Sequence, residues 1–271
     1  MERDVLKKVQ AIQLEMAKDV KRVCDENGIR YFLYRGTFLG AVRHKGVIPW
    51  DDDMDFGMLR EDYDKFCRMA PEALSGEYCF QNWHTDSNYA LPFGKVRKRN
   101  TVFVEAKCAR LPENGIYIDI YPLDDAPADL KERKALASKL LHLFRIKLMK
   151  CGYTPWQEDD KIIWKKRIGY LAYQFAALFV SQKKLVDVFE KLVRAVEASD
   201  TVYEQSALPK GFYYDKALLE HVREYPYEDT TFSGPENYHA FLSNLYGDYM
   251  ELPPEDKREN RHQIQILDLG E

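Results

Sequence analysis

Along residues 2–26 the apolar side chains Val5, Val9, Ile12, Met16, Val20 and Val23 recur every three or four positions. That spacing is the stripe of an amphipathic helix with one face turned to a core. Asn27-Gly28 ends it, because glycine takes the left-handed turn that closes a helix. Residues 29–34 then predict a short strand broken by Arg35-Gly36-Thr37, and residues 38–43 a single helical turn. Residues 54–59 predict a second strand, and 61–69 a helix with acidic residues in its first turn. Further strands are expected at 78–82, 93–98, 101–106 and 116–121. From about 129 to 199 the period is helical, interrupted at Gly152–Pro155 and near Ser181. The remainder, 203–271, reads as aromatic-rich loops with one helix near 237–246. Strands first and helices afterwards predict an α+β fold, a mixed β-sheet core flanked by helices. The expected division is a core at 1–128, a helical region at 129–200, and a segment at 201–271 packing back on the core.

Composition narrows the class. In 271 residues, 45% hydrophobic and 31% charged content supplies a core and excludes a disordered chain. A net charge of −4 argues against a nucleic-acid binder. Cysteines 24, 67, 79, 108 and 151 form no CxxC pair, which fits a reducing compartment rather than a disulfide framework. The charged start lacks a signal peptide's apolar stretch, and the longest apolar run, Ile168 to Val180, falls short of the roughly 20 residues of a bilayer span. Both predict a cytoplasmic location. Charge is uneven, however: residues 131–194 hold 15 Lys+Arg against 6 Asp+Glu, a surplus of +9. Solvated helix faces account for that surplus, and so does a basic surface resting peripherally on an anionic membrane.

The candidate chemistry lies between Gly36 and Gly57. Asp51, Asp52, Asp53 and Asp55 crowd into five positions, and alternation in an extended chain puts Asp51, Asp53 and Asp55 on one face. Such like charges repel unless a cation neutralises them, and a hard divalent ion with oxygen ligands, Mg²⁺ or Mn²⁺, is the simplest partner. Met54, Phe56 and Met58 alternate with these acids, so the carboxylates sit on an otherwise buried strand. Gly36-Thr37 precedes a short helix, where backbone N–H groups attract phosphate. Asp119 is a lone acid within an apolar strand and needs a partner, which a lysine, a turn that it caps, or a metal shared with Asp53 and Asp55 would provide. Lys95 and Arg97, two apart on one strand, are candidates for donor phosphates, as are Arg43 in a basic loop and the pair Arg258 and His262, four apart as on a helix face. Trp50, Trp83, Tyr89 and Trp156 are candidate walls for a quaternary ammonium.

Gly36-Thr37 after a strand, Asp53 and Asp55 on the next, and Asp119 on a later one resemble the nucleotidyltransferase superfamily pattern. The longer string from Gly36 through Leu39-Gly40-Ala41-Val42-Arg43-His44-Lys45-Gly46 to Ile48-Pro49-Trp50-Asp51-Asp52-Asp53 and Asp55 resembles the LicD family, also called the phosphorylcholine transferase or fukutin-related family. Three further stretches match: 93–98, 118–124, and 246–254 followed by Lys257, Arg258 and His262. Two features depart from the family pattern, namely Arg35 in place of a small residue and the lack of a cysteine-rich zinc loop. The resemblance implies transfer of a phospho-alcohol from a CDP-linked donor, such as CDP-choline or CDP-ribitol, to a sugar hydroxyl, with release of CMP. The acceptor would be a cell-surface glycan such as teichoic acid or lipopolysaccharide, or its lipid-linked precursor. Two Mg²⁺ or Mn²⁺ ions would be held by Asp53, Asp55 and Asp119 with help from Asp51, and Asp119 would also serve as base. Competing readings are NMP transfer with pyrophosphate release and an inert glycan-binding or assembly protein. A sugar-nucleotide glycosyltransferase is disfavoured, because only one strand candidate precedes the acids.

Overall fold

The computed structural model of the chain describes residues 1–105, 114–153, 164–205, 212–259 and 264–270. His262 and Trp156 lie outside these residues. The chain opens with helix α1 (Arg3–Asn27), whose stripe Leu6, Val9, Met16, Val20 and Val23 is buried and which closes on Gly28 at φ 57°. Strand β1 (Phe32–Leu33) is shorter than expected. Helix α2 (Arg35–Arg43) begins at Arg35, so Arg35-Gly36-Thr37 forms the first helical turn rather than a break. After β2 (Asp55–Leu59), α3 (Arg60–Ala73) and β3 (Tyr78–Gln81) come β4 (Gly94–Lys98), β5 (Val102–Glu105) and β6 (Tyr117–Asp125).

The helical region holds α4 (Leu130–Lys150), α5 (Trp164–Phe179) and α6 (Gln182–Arg194), the last capped by Ser181, whose Oγ accepts the Lys184 N–H. Beyond it the chain is richer in strands than expected: β7 (Thr201–Glu204), β8 (Tyr213–Asp215), a short α7 (Ala217–Glu220), β9 (Val222–Tyr227) and β10 (Thr230–Pro235) precede α8 (Tyr238–Tyr246) and β11 (Ile264–Asp268). Pro226, Gly234 and Pro235 obscure the hairpin in the sequence, since proline and glycine ordinarily mark breaks.

The main sheet runs in the order β1-β2-β6-β4-β3, with β7 and then β8 added on the far half of β6. Among the described residues only β2 and β6 pair in parallel. Every residue of β6 except the last is buried, so both faces of the centre are covered. Ile118 and Ile120 point to one face, and Tyr117, Asp119 and Tyr121 to the other. On β3, Phe80 meets Phe66 of α3 edge-on at 5.4 Å. The main core runs from α1 through the sheet to Tyr214, Tyr225, Phe232 and Phe241. A smaller cluster of Ala126, Leu140, Phe189, Val193 and Tyr203 ties α4 and α6 to the sheet. Arg194 of α6 reinforces it with a two-pronged contact to Asp64 of α3 at 2.6 and 3.1 Å. Among the described residues no helix is long and apolar enough to cross a membrane.

Candidate active site

A cleft of about 820 Å³ opens at the start of β2. Arg35, Gly36, Leu39 and Arg43 of α2 form one wall, Asp51, Asp53 and Asp55 the acidic floor, and the 245–254 segment the opposite wall. The strand itself starts only at Asp55, so Asp51 to Asp53 belong to the approach loop rather than to β2. Alternation still holds in outcome: residues 51, 53 and 55 face the cleft while Asp52 is buried beside them. Carboxylate oxygens of Asp51, Asp52 and Asp53 lie within 4.8 Å of one another.

This crowding has a scaffold. Gln10 donates to the Asp51 carbonyl at 2.7 Å, and Gln13 donates to the carbonyls of Asp52 at 2.9 Å and Tyr117 at 3.1 Å. Gln13 is buried within the apolar stripe of α1, an anchor that the periodicity of apolar residues alone passes over. Gly36 is required by proximity: a Cβ there would stand 2.7 Å from Asp51 Oδ2. Its absence lets the carboxylate approach the N-terminus of α2, where the helix dipole favours negative charge. The Thr37 hydroxyl accepts the Asp55 backbone N–H at 2.8 Å and is buried, so it fixes the start of β2.

Asp55 is the most constrained acid of the floor. Its Oδ1 is buried without a hydrogen-bond partner. Burial first, then the charge of Asp53, pushes its carboxyl well above the ordinary carboxylate range; Arg35 offsets part of this, and Asp119 and Asp51 add to it. In the parallel ladder Asp55 pairs with Asp119, and in the antiparallel ladder Asp119 pairs with Lys95. Cross-strand partners share a face, so the two acids and the lysine form one polar row across three strands. Lys95 donates to Asp119 Oδ1 at 2.6 Å and the Tyr121 hydroxyl donates to Oδ2 at 3.1 Å.

The remaining sequence candidates separate. Lys95 and Arg97 share a face, yet both are buried and neither lines the cleft. Arg97 donates to Gln81 at 2.6 Å and to the Gly115 carbonyl at 2.9 Å, because a cation inside a sheet satisfies itself on neighbouring strands before it can reach a cleft. Arg43 lines the cleft and donates to the carbonyls of Tyr249 at 2.9 Å and Glu251 at 3.3 Å, clamping the opposite wall to α2. Burial and the charge of Arg43 push His44 below its usual value. Arg258 is not on a helix; it follows a single 3₁₀ turn at 255–257, donates to the Pro253 carbonyl and lies over the Trp50 ring at 5.5 Å. Of the aromatic candidates, Trp50 lines the cleft, Trp83 packs on Phe189 at 5.1 Å, and Tyr89 is buried in the core.

Sequence reasoning missed how Arg35 is held. Its φ of 47° is a left-handed conformation that side chains rarely adopt. A clamp offsets the strain: the guanidinium pairs with the buried Glu204 of β7, and lies 4.4 Å over the Tyr121 ring. Glu204 also accepts the Tyr34 hydroxyl at 3.0 Å. Only the sheet's closure by β7 brings residue 204 to residue 35.

The residues present fit a divalent cation. They offer carboxylate oxygens alone, at least three converge, and the orphaned Asp55 Oδ1 is the kind of buried acceptor that an ion satisfies.

The chain is similar to several known proteins. The family model described as LicD/FKTN/FKRP, nucleotidyltransferase domain, matches residues 28–140, which hold α2, β2 and β6. The lipopolysaccharide cholinephosphotransferase LicD of Haemophilus influenzae is 26% identical over 97% of this chain and 97% of its own length. The ribitol 5-phosphate transferase FKRP of Homo sapiens is 48% identical over 48 residues, 18% of this chain and 10% of that protein. An uncharacterized protein of Rickettsia typhi is 43% identical over 58 residues, 21% of this chain and 19% of its own. Residues 28–140, which carry the acidic floor between α2 and β6, match the nucleotidyltransferase domain of the LicD family, and nearly the whole chain is similar to the Haemophilus influenzae protein.

Proposed function

We propose that this chain is a phosphotransferase that moves a phosphorylated alcohol from a CDP-linked donor to a sugar hydroxyl of a cell-surface glycan or its precursor, releasing CMP, with Mg²⁺ or Mn²⁺ as cofactor. The observation that carries the reading is Asp55: a buried carboxylate with an unpartnered oxygen, crowded by Asp53 and set beside Asp119 at the floor of a cleft. A protein gains no stability from such a cluster, so its place at an open cleft speaks for use. The names of the two characterised relatives, one acting on choline phosphate and lipopolysaccharide and the other on ribitol 5-phosphate, support phospho-alcohol transfer.

Asp51, Asp53 and Asp55 would hold the ions, with Asp119 completing the set from β6. Bound there, the cation would screen the donor diphosphate and lower the pKa of the acceptor hydroxyl. The chain's own residues do the positioning. Gly36 and Thr37 fix Asp51 and the start of β2, while Lys95 and Tyr121 orient the Asp119 carboxylate. Arg43 at the cleft wall would meet the donor phosphates, whereas the buried Lys95 holds Asp119 from behind. Phosphoryl transfer asks for alignment and positive charge more than for covalent help, and this arrangement offers both.

Choline is the alcohol the cleft favours. Trp50, Phe212, Tyr246 and Tyr249 line it together with Asp248 and Glu251. Aromatic faces and carboxylates suit a quaternary ammonium and offer a neutral polyol much less. The test is a panel of CDP-choline and CDP-ribitol with sugar acceptors, scored for metal-dependent CMP. Pyrophosphate release from a nucleoside triphosphate in place of CMP would overturn the reading in favour of NMP transfer. CMP formed faster from CDP-ribitol would overturn the choice of alcohol alone.

A further inference from the structure

Helix α5 carries an apolar face that the described residues leave uncovered. Ile168, Leu171, Phe175, Leu178 and Phe179 are 55%, 61%, 65%, 74% and 73% exposed. They fall at spacings of three and four, so they line one side of the helix. The opposite side is fastened to α4: the Tyr173 hydroxyl meets His142 at 2.6 Å, and Lys150 donates to the Ala177 carbonyl at 2.8 Å. Phe175 and Phe179 pack on each other at 4.9 Å, which joins the outer residues into a continuous patch. From Ile168 to Phe179 there is no charged residue. Single exposed apolar side chains are ordinary, but five on one helical face mark an interaction surface.

The charge around the patch identifies its occupant. In the sequence Lys165, Lys166 and Arg167 precede the apolar run, and Lys183 and Lys184 follow it. Both lysines after the run are exposed, and they stand in the first turn of α6, where the helix dipole favours anions instead. Lys183 pairs with Asp187 at 2.7 Å, while Lys184, placed against the dipole, gains from an external anionic partner. Residues 131–194 as a whole carry the surplus of +9 noted above, while the chain is net −4. A protein partner would need matched side chains of its own. An anionic bilayer surface needs only an apolar wedge at acyl depth and cations at headgroup level beside it; the wedge and the exposed Lys183 and Lys184 are in place, and the sequence adds three cations before the run. The run is about 18 Å long at about 1.5 Å per residue, too short to span a bilayer and long enough to lie along one.

We infer that α5 docks this protein in the plane of an anionic membrane, with Ile168, Leu171, Phe175, Leu178 and Phe179 inserted and the flanking cations at the headgroups. This surface is separate from the catalytic reading and stands or falls without it.

The experiment is flotation of the full-length chain with vesicles of 70:30 phosphatidylcholine and phosphatidylglycerol, and with vesicles of phosphatidylcholine alone. The expected result is binding to the anionic vesicles at low salt, weakened at least tenfold on neutral vesicles. A Phe175→Ser, Leu178→Ser, Phe179→Ser variant should bind at least tenfold more weakly, with an unchanged circular dichroism spectrum. Because these side chains are exposed, that variant should fold. Lys183→Glu with Lys184→Glu should weaken binding and flatten its salt dependence, and it serves as the check if the triple variant misfolds. Absent binding, equal binding to both vesicle types, or binding unaffected by either variant overturns the inference. Self-association in sedimentation velocity that the triple variant abolishes also overturns it, assigning the face to a second copy of the chain.

Discussion

Strands β2 and β6 lead to two buried acids that the protein treats in opposite ways. At the far end of β6, Asp124 is gripped on both oxygens by Arg60, at 2.6 and 2.7 Å, with Gln205 adding a third donor. At the near end of β2, Asp55 has a buried oxygen with no partner and like-charged neighbours. Both side chains are almost wholly buried. A carboxylate kept for the fold is paired and saturated, whereas one kept for chemistry is left needing something from outside. Asp119 stands between the two cases, since its oxygens accept from Lys95 and Tyr121 while its place in the ladder is beside Asp55.

The sharpest way to break this comparison is to neutralise each acid. Asp55→Asn should lower turnover by about 10³-fold, measured as CMP formed, with stability in urea unchanged or raised by about 1 kcal/mol as repulsion is relieved. Asp124→Ala should instead cost about 3 kcal/mol of stability by stranding Arg60, while the folded fraction stays active. If the two variants behaved alike, the division between structural and functional acids would fail. Next in size is the metal. At about 100 times its Kd, Mg²⁺ or Mn²⁺ should stabilise the wild-type chain by about 2.7 kcal/mol and leave Asp55→Asn unmoved, as read by thermal unfolding. No shift in the wild type would remove the cation from the account.

Gly36→Ala sharpens the contrast by a subtler route. The new methyl would push Asp51 aside, because the atom it meets is a carboxylate tip that can move. Activity should fall by about 10²-fold with little change in unfolding midpoint, and a loss of stability without loss of rate would refute the positioning role. The smallest effect belongs to His84 and Glu190, at 2.7 Å, which help hold α6. The hydrogen bond that His84 donates to Glu190 raises the His84 pKa above its ordinary 6.5. Its contribution is therefore complete below 6.5 and lost as pH rises through the elevated folded value. Glu190 is held below its ordinary 4.5, against its burial, chiefly by that same hydrogen bond, so its contribution is lost as pH falls through the depressed value. The pair is worth less than about 1 kcal/mol because His84 is half exposed. His84→Gln should abolish this bell-shaped component of stability between the two limits, and an unchanged pH profile would show the pair to be inert.

Local signals carried much of the fold. The α1 stripe, its stop at Gly28 and the central strands follow from side-chain periodicity, which depends only on near neighbours. The hairpin of β9 and β10 did not, since Pro226 and Gly234 interrupt the pattern and long-range pairing alone makes them strands. Within the site, the crowding of Asp51, Asp53 and Asp55 was legible because unneutralised like charges in five positions are improbable for stability alone. The fate of Lys95 and Arg97 was not legible. Alternation gives the face of a strand, but only the neighbouring strands decide whether that face opens to a cleft or closes on Asp119 and Gln81.

By itself, then, the amino-acid order determined the elements with strong local period, the acid-rich segment before β2 and the apolar run that became α5, because each is written within a few turns of chain. Tertiary structure decided which acids meet. Asp55 and Asp119 are 64 positions apart and become neighbours only through the parallel register of β2 and β6, and Arg35 finds Glu204 only once β7 has closed on β6. Contacts between distant residues depend on the whole chain's packing, and no short window of sequence contains that information.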